Sequence, residues 1–242
     1  MTVARFAPVE EVLADVRLRG VELNGVENAR WQRLRFEVDR DAHRAAHLLV
    51  RACAGELLDL APERLRLQQH CPRCGSTDHG RPSIAGEPEV RVSLSHTRGF
   101  VAAVAATAAC GIDVEHVAGS IPRTAVTPGE RAWLDTTADP LQGFTRLWVR
   151  KEALVKAGVA DEPGALDVLG PAAGAVTRSA VSLGPDAAPP GPSVPVVRPA
   201  DRLSGFLLTD WAGPPDPLGR PVVWGCVAVY DEQRSAGSRG DS

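Results

Sequence analysis

Apolar and polar positions alternate along this chain with two different periods. In residues 39–60 apolar side chains recur every three or four positions, and this spacing predicts an amphipathic helix. Elsewhere apolar residues alternate with polar ones or form short runs, which is typical of β-strands. The segments predicted as strands are residues 90–95, 100–106, 111–115, 203–210 and 222–230. The chain is therefore expected to contain both helices and strands.

Capping residues predict two further helices in the second half of the chain. Residues 127–130 (Thr-Pro-Gly-Glu) offer an N-cap threonine, a proline at the first helical position and a glutamate that can complete a capping box. Residues 139–140 (Asp-Pro) offer the same pairing of cap and proline. The helix that they begin is predicted to run to Ala157 and to end at Gly158.

Three other segments have the composition of turns, a loop and a tail. Residues 70–89 are rich in glycine and proline, which is typical of turns. Residues 184–199 contain six prolines and are expected to form an extended or mobile loop. Residues 233–242 are small and polar, so we expect a disordered tail there.

Length and composition are those of an ordinary soluble protein. The chain has 242 residues, 44% hydrophobic and 24% charged, enough for one large domain or two small ones. Its net charge of −3 argues against a general nucleic-acid-binding surface. No apolar run approaches the roughly 20 residues that a membrane helix needs, and the N-terminus has no apolar signal core. We therefore expect a cytoplasmic protein that does not associate with membranes.

One weak internal similarity links the two halves of the chain. Residues 99–104 (Gly-Phe-Val-Ala-Ala-Val) resemble residues 224–229 (Trp-Gly-Cys-Val-Ala-Val). This similarity suggests that each half ends in a comparable strand.

The distribution of lysine is unusual. Lys151 and Lys156 are the only lysines among 27 basic residues, and all the others are arginines. An ammonium group is a compact charge with a pKa that can shift, and a guanidinium is neither. Two lysines retained five residues apart therefore suggest a functional reason, with chance as the alternative.

The five cysteines are too few and too scattered for a disulfide scaffold, and they suggest a reducing compartment. Only Cys71 and Cys74 form a C-x-x-C motif. A structural zinc site usually has four protein ligands, and the chain has no second C-x-x-C motif, although His70 and His79 are near. We therefore expect a turn with two free thiols in preference to a zinc site.

Three acidic residues are candidates for a metal site. Asp113 and Glu115 are two residues apart in a predicted strand, so their side chains lie on the same face at the strand end. Glu152, on a predicted helix that also carries Lys156 one turn later, can add a third carboxylate. Such an oxygen site suits Mg²⁺. The alternatives are a solvated strand end and an ordinary exposed Glu–Lys pair.

Polar residues near the first predicted strand are candidates for binding phosphate. Ser95 and His96 end one strand, and a hydroxyl and an imidazole can donate hydrogen bonds to phosphate oxygens. Arg81 follows Gly80 in a tight turn and can make a similar contact. By itself, a histidine such as His96 is more often a structural polar residue, and Arg81 alone is a weak signal.

Four motifs in the chain resemble those of one enzyme family. They are residues 79–82 (His-Gly-Arg-Pro), 93–96 (Ser-Leu-Ser-His), 111–115 (Gly-Ile-Asp-Val-Glu) and 148–156 (Trp-Val-Arg-Lys-Glu-Ala-Leu-Val-Lys). In this order and spacing they resemble the Sfp-type 4′-phosphopantetheinyl transferases. The resemblance covers about residues 36–160 and continues loosely to about residue 232. The Cys71–Cys74 segment is similar to that of actinobacterial members.

The resemblance implies a fold and a reaction. The fold is α+β, with two similar halves arranged as a pseudo-dimer and the site in the cleft between them. Residues 1–109 are then the coenzyme A side, and residues 110–232 carry the metal and catalytic acids. These enzymes transfer the phosphopantetheine arm of coenzyme A to a serine of an acyl or peptidyl carrier protein and release adenosine 3′,5′-bisphosphate. Chains of this length are typically monomers that serve polyketide, nonribosomal peptide or fatty-acid carriers.

The resemblance also assigns roles to individual residues. Asp113, Glu115 and Glu152 correspond to the Mg²⁺ ligands, and Glu152 is also the expected general base for the carrier serine. Lys156 corresponds to the lysine that stabilises charge on the leaving phosphate. The residues expected to bind coenzyme A are Arg44, Arg51, Arg81, Ser95 and His96. Arg81 stands where many members have lysine.

Two alternatives belong to other functional classes. The chain could be a non-catalytic protein that binds coenzyme A or a carrier, although all three acids and Lys156 are present. It could also be a metal-dependent phosphohydrolase, which would use the same acids without a carrier. The motifs at residues 93–96 and 148–156 argue against hydrolysis.

Overall fold

The structure is a computed structural model that describes residues 1–71, 73–169, 196–197 and 201–231. The chain divides into two compact units, Met1–Cys110 and Gly111–Ser242. Each unit has its own antiparallel β-sheet and helices, and this mixture confirms the expected α+β class. Within the described residues, none of the helices is both long and apolar enough to cross a membrane.

The first unit is built on a five-stranded sheet with the order β1-β5-β4-β3-β2. Its strands are β1 (Thr2–Pro8), β2 (Leu67–His70), β3 (Arg81–Ile84), β4 (Arg91–Thr97) and β5 (Phe100–Ala106). Its helices are α1 (Val9–Ala14), α2 (Gly25–Arg33) and α3 (Glu37–Leu58). All neighbouring strands pair antiparallel.

The long helix α3 forms the core of the first unit together with the sheet. Its apolar stripe packs on β5 and β4. Ala45, Leu49 and Cys53 in this stripe are buried. The helix ends where Asp59 adopts a left-handed conformation with φ of 55°. The helix predicted over residues 39–60 is therefore confirmed, with both ends two residues earlier.

The second unit has a sheet with the order β6-β10-β9-β7, and β8 also pairs with β9. Its strands are β6 (Cys110–His116), β7 (Val196–Val197), β8 (Asp201–Leu203), β9 (Phe206–Ala212) and β10 (Val223–Tyr230). Its helices are α4 (Pro128–Leu134) and α5 (Pro140–Ala157), and α5 packs on β10. β10 lies between two strands, as β5 does in the first sheet, so the two similar sequence segments occupy comparable positions in their sheets.

Local signals correctly located the second unit's helices. The Thr127 side chain accepts from the Glu130 backbone N–H at 3.2 Å, and the Glu130 carboxylate accepts from the Thr127 N–H at 2.9 Å. α5 begins at Pro140 after the cap Asp139, as predicted. It ends at Ala157, before Gly158 with φ of 94°.

One expectation about secondary structure was wrong, and several other elements were not predicted. The single strand predicted over residues 203–210 is a hairpin of β8 and β9, which turns at Ser204 and Gly205 with φ of 52° and 82°. The turn-rich residues 70–89 contain the strand β3. β1, α1 and α2 were not predicted at all. The Pro-rich residues 184–199 lie outside the described residues except for β7, and the tail at 233–242 lies wholly outside.

Candidate functional site

The strand β6 carries two of the three candidate metal ligands. Asp113 and Glu115 lie on one face of this strand, and Ile112 and Val114 on the opposite face are fully buried. Asp113 is only 2% exposed and lies within the strand. The expectation that Asp113 lies at a strand end and outside the core was therefore wrong, as was the alternative of a solvated strand end, and Glu115 is the residue nearer the end.

Gly111 allows α5 to pass very close to β6. A Cβ atom at this position would lie 2.0 Å from the Ala153 carbonyl oxygen and 2.6 Å from the Ala157 nitrogen. Any side chain at this position would therefore force the strand and the helix apart. Gly111 precedes Asp113 by two residues, so the face of β6 that contacts α5 is the face that carries the acids. Sequence analysis missed this role, although a glycine at a strand start can signal a close backbone approach.

The close packing places Lys156 against Asp113. The Lys156 Nζ atom donates to Asp113 Oδ1 at 2.6 Å. The Lys156 side chain is 28% exposed, so part of it remains accessible beside the buried carboxylate. Glu152 lies one turn earlier on α5 and is half-buried. The structure therefore brings one face of β6 and one face of α5 together around these four charged groups.

The protonation of the two glutamates reflects this crowding. Burial and then the neighbouring Asp113 charge raise the pKa of Glu115 to about 7, against the opposing effect of Lys156. Burial and the Asp113 charge also raise the pKa of Glu152 above its ordinary value. Carboxylates whose charged forms are disfavoured by one another are suited to a divalent cation, which relieves the repulsion.

The three carboxylates are the type of ligand that a divalent metal prefers, but their oxygens lie farther apart than those of a compact metal site. Hard cations such as Mg²⁺ prefer oxygen ligands, and Asp113, Glu115 and Glu152 offer only oxygens. Among the described residues they do not form a group with ligand atoms all within 4.8 Å of one another. Lys156 supplies the positive charge at Asp113 in this structure.

The other lysine has a different role. Lys151 is fully buried, and its Nζ atom donates to Glu130 Oε2 at 2.6 Å and to the Ala125 carbonyl at 2.9 Å. Glu130 in turn accepts the Val168 N–H at 3.0 Å. Lys151 therefore joins α5 to α4 and to two loops.

A buried aspartate on β9 also holds α5 in place. Asp210 is fully buried and accepts hydrogen bonds from Arg150 at 2.8 Å and from Arg146. Burial alone would raise the pKa of Asp210, but its bonds to Arg150 and the charges of both arginines keep it below the ordinary value. Sequence analysis missed Asp210, because its partners are about 60 residues away.

The predicted coenzyme A ligands lie in the first unit. Arg44 is exposed on α3, and Arg81 is exposed at the start of β3. On β4, Ser95 is buried and His96 is exposed. The His96 ring lies 6.0 Å from the ring of His43, the residue before Arg44 on α3. Two of the predicted ligands, His96 and Arg44, therefore lie on adjacent elements.

Arg51 is almost fully buried on α3. It is 2% exposed, and its guanidinium donates to Glu27 at 2.8 Å and to the carbonyls of His47 and Leu65. Glu27 also accepts from His47 Nδ1 at 2.8 Å. Burial opposes the ionisation of Glu27, but the bonds from His47 and Arg51 lower its pKa to about 2. Arg51 thus fixes α2 to α3, and the structure argues against its predicted contact with coenzyme A.

A comparison of the sequence with protein-family models matches the segment that contains β6 and α5. Residues 109–175 match the family model of the 4′-phosphopantetheinyl transferase superfamily. The matched segment includes Asp113, Glu115, Glu152 and Lys156, whereas Ser95 and the other predicted coenzyme A ligands precede it. No curated protein matches the chain.

The match supports a coarse statement of activity. It supports transfer of phosphopantetheine in general, with coenzyme A as the substrate that the superfamily uses. Members of this superfamily act on carrier proteins. The superfamily typically uses a divalent metal, and this agrees with the three acids around Lys156. The α+β architecture is consistent with the phosphopantetheinyl transferase fold.

Proposed function

We propose that this chain is an Sfp-type 4′-phosphopantetheinyl transferase that acts as a monomer on an acyl or peptidyl carrier protein. The observation that carries the proposal is the placement of Lys156 at 2.6 Å from Asp113, beside two glutamates with raised pKa. An Asp-x-Glu motif on a strand is, by itself, compatible with many classes of metal enzyme. The lysine and Glu152 on the adjoining helix provide both a cation and a proton acceptor, which transfer from a pyrophosphate to a hydroxyl requires.

In the proposed reaction a carrier serine attacks the phosphorus that bears the pantetheine arm. A bond forms between the serine oxygen and this phosphorus, and the phosphorus bond to the bridging oxygen breaks. The bridging oxygen leaves on adenosine 3′,5′-bisphosphate. Mg²⁺ held by Asp113, Glu115 and Glu152 would neutralise charge on the pyrophosphate.

Glu152 and Lys156 have separate roles in this reaction. Glu152 accepts the proton of the serine hydroxyl, directly or through water. Lys156 is partly exposed and held by Asp113, so its ammonium can stabilise the charge that develops on the leaving phosphate. The salt bridge restricts the lysine to one position before substrate binds.

The exposed residues of the first unit are proposed as the nucleotide contacts. Arg44, Arg81 and His96 present cationic or hydrogen-bonding groups on α3, β3 and β4. Ser95 is buried beside His96, so we propose that it supports this histidine or donates its hydroxyl to phosphate. Arg51 is left out because it is buried against Glu27.

The test is the mass of a purified carrier protein after incubation with coenzyme A and Mg²⁺. The wild-type chain should add one phosphopantetheine arm. Asp113→Asn keeps the volume and an oxygen for Lys156 but removes the charge, so transfer should fall at least about 10²-fold. Glu162→Gln, an exposed acid outside the site, is the matched control and should transfer normally.

Two results would contradict the proposal. One is near-normal transfer by Asp113→Asn at limiting Mg²⁺, in protein whose thermal unfolding matches the wild type. The other is release of adenosine 3′,5′-bisphosphate without modification of the carrier, which would favour hydrolysis.

A further inference from the structure

A cluster of sulfur and nitrogen ligands lies far along the chain from the acids, between β2 and β3. Cys71, Cys74 and His79 each offer one ligand atom, and these three atoms all lie within 4.8 Å of one another. The Cys74 Sγ atom is 3.3 Å from His79 Nε2. Among the described residues this is the one group of three His, Cys, Asp or Glu side chains with such close ligand atoms.

The backbone holds the loop that carries these residues closed. β2 and β3 pair up to His70 and Arg81, the residues on either side of the loop. Gly80 has φ of 110°, and a Cβ there would lie 2.1 Å from the His70 carbonyl oxygen. Only glycine permits this contact, which brings His79 next to the backbone of Cys71.

The first cysteine lies in a turn that favours its thiolate. The Cys71 N–H donates to the Ser76 carbonyl at 2.9 Å, and the Gly75 N–H donates to the Cys71 carbonyl at 2.8 Å. The backbone N–H groups of Cys74 and Arg73 donate to the Cys71 sulfur, an arrangement that suits a thiolate. The thiolate is the form of cysteine that binds metals.

The other cysteines have no such environment. Burial raises the pKa of Cys53 and of Cys110 to about 12. Burial also raises the pKa of Cys226 well above its ordinary value. These three thiols pack in the interior, whereas Cys74 and His79 are exposed at the loop surface. Cys71 itself is only 8% exposed, so the cluster is reached from solvent through Cys74 and His79.

We propose that Cys71, Cys74 and His79 bind one zinc ion. Two thiolates and an imidazole suit zinc, whereas Mg²⁺ and Ca²⁺ require oxygen ligands. Zinc bonds of about 2.3 Å to sulfur and 2.0–2.1 Å to nitrogen place tetrahedral ligands roughly 3.5–3.8 Å apart. The 3.3 Å separation of Cys74 and His79 is close to that range. Water fills the fourth position at this exposed surface.

The ion links the two ends of the loop. It joins Cys71, which follows β2, to His79, which precedes Gly80 and β3. Arg81 is the first residue of β3, so the ion also fixes the residue proposed to contact coenzyme A. This last consequence rests on the proposed function, whereas zinc binding does not.

The test measures metal content directly. The full-length chain, purified without a histidine tag, should contain about one zinc per chain by mass spectrometry of the metal. After removal of zinc, added Co²⁺ should produce the absorption of a thiolate–cobalt complex, which reports sulfur ligands. Cys74→Ser and His79→Ala should each weaken binding at least tenfold. His70→Gln is the matched control, because His70 is exposed and next to the loop but outside the cluster, and it should bind normally.

Three results would overturn the proposal. They are a chain that neither contains zinc nor takes up Zn²⁺ or Co²⁺, a Cys71–Cys74 disulfide in protein purified under reducing conditions, and equal affinity in the wild type and His79→Ala. Because these readouts involve neither coenzyme A nor a carrier, they are independent of whether the proposed transferase activity is found. If zinc binds and transfer occurs, removal of zinc followed by restoration of Mg²⁺ for the assay should raise the KM for coenzyme A more than it lowers kcat.

Discussion

Replacement of Gly111 by alanine tests whether close packing of β6 on α5 assembles the site. The new Cβ would lie 2.0 Å from the Ala153 carbonyl oxygen, whereas ordinary contacts begin near 3.4 Å. The strand and the helix must therefore separate by about 1.4 Å, since both neighbouring atoms belong to the backbone. Ala153 and Ala157 directly follow Glu152 and Lys156, so the same movement carries those two groups away from Asp113.

The size of the effect follows from this displacement. The 2.6 Å bond between Lys156 and Asp113 would be stretched towards about 4 Å, at which it is no longer a hydrogen bond. A misplacement of about 1 Å at reacting groups can lower a rate by about 10²-fold. We therefore expect Gly111→Ala to lower kcat for carrier modification about 10²-fold. Overpacking should also lower the free energy of unfolding by about 1–3 kcal/mol.

The assay compares kcat for carrier modification with urea unfolding of the same preparations. Gly129→Ala is the matched control, because a Cβ at that position would meet its nearest atom, Asp167 Oδ2, at an ordinary 3.6 Å. This variant should keep its activity within about twofold and should unfold at a similar or slightly higher urea concentration. If Gly111→Ala kept kcat within threefold of the wild type, the site would not depend on the close packing of β6 on α5.

Three other predictions concern the lysines and a buried histidine. Lys156→Arg should lower kcat at least tenfold with little change in coenzyme A affinity, because a planar guanidinium cannot take the position of the ammonium; unchanged kcat would exclude the catalytic role. Lys151→Met leaves the buried Glu130 carboxylate without its cation and should cost about 3–5 kcal/mol of unfolding free energy, measured in urea; a loss below 1 kcal/mol would contradict this account. Burial, with the His47 and His96 charges, lowers the pKa of His43 to about 4 from 6.5, so the neutral histidine stabilises the fold above pH 6.5. That contribution should be lost between pH 6.5 and 4 as the unfolded chain takes up the proton, and His43→Asn should flatten the fall of unfolding free energy over this range.

Much of the local structure could be predicted because its causes are local. The capping residues of α4 and α5 make their hydrogen bonds within three positions of one another, so a sequence motif contains both partners. The period of apolar residues likewise predicts which face of α3 is buried. The spacing of Asp113 and Glu115 determines that they share a face, since strand side chains alternate with a period of two. These features required no knowledge of the fold.

The sequence predicted the site only as a set of candidates. It identified the three acids and Lys156 by residue type and by resemblance. It did not predict the hydrogen bond between Lys156 and Asp113 of β6, or the burial of Lys151. The two positions are five residues apart, which places them on different sides of α5. Lys156 pairs with Asp113, which precedes it by 43 residues, and Lys151 pairs with Glu130, which precedes it by 21 residues. Only the folded chain shows that one lysine is buried with Glu130 and the other is partly exposed beside Asp113.

The remaining differences have the same origin in contacts between distant residues. Arg51 has the pattern of an exposed helix position, yet α2 covers it because Glu27 supplies a buried carboxylate. His79 joins Cys71 and Cys74 because β2 and β3 close the loop around them. Residue type, period and capping were decided by the sequence alone, since they act within a few positions. Burial, charge pairing and the grouping of ligands depend on which distant segments pack together, and the tertiary structure decided them.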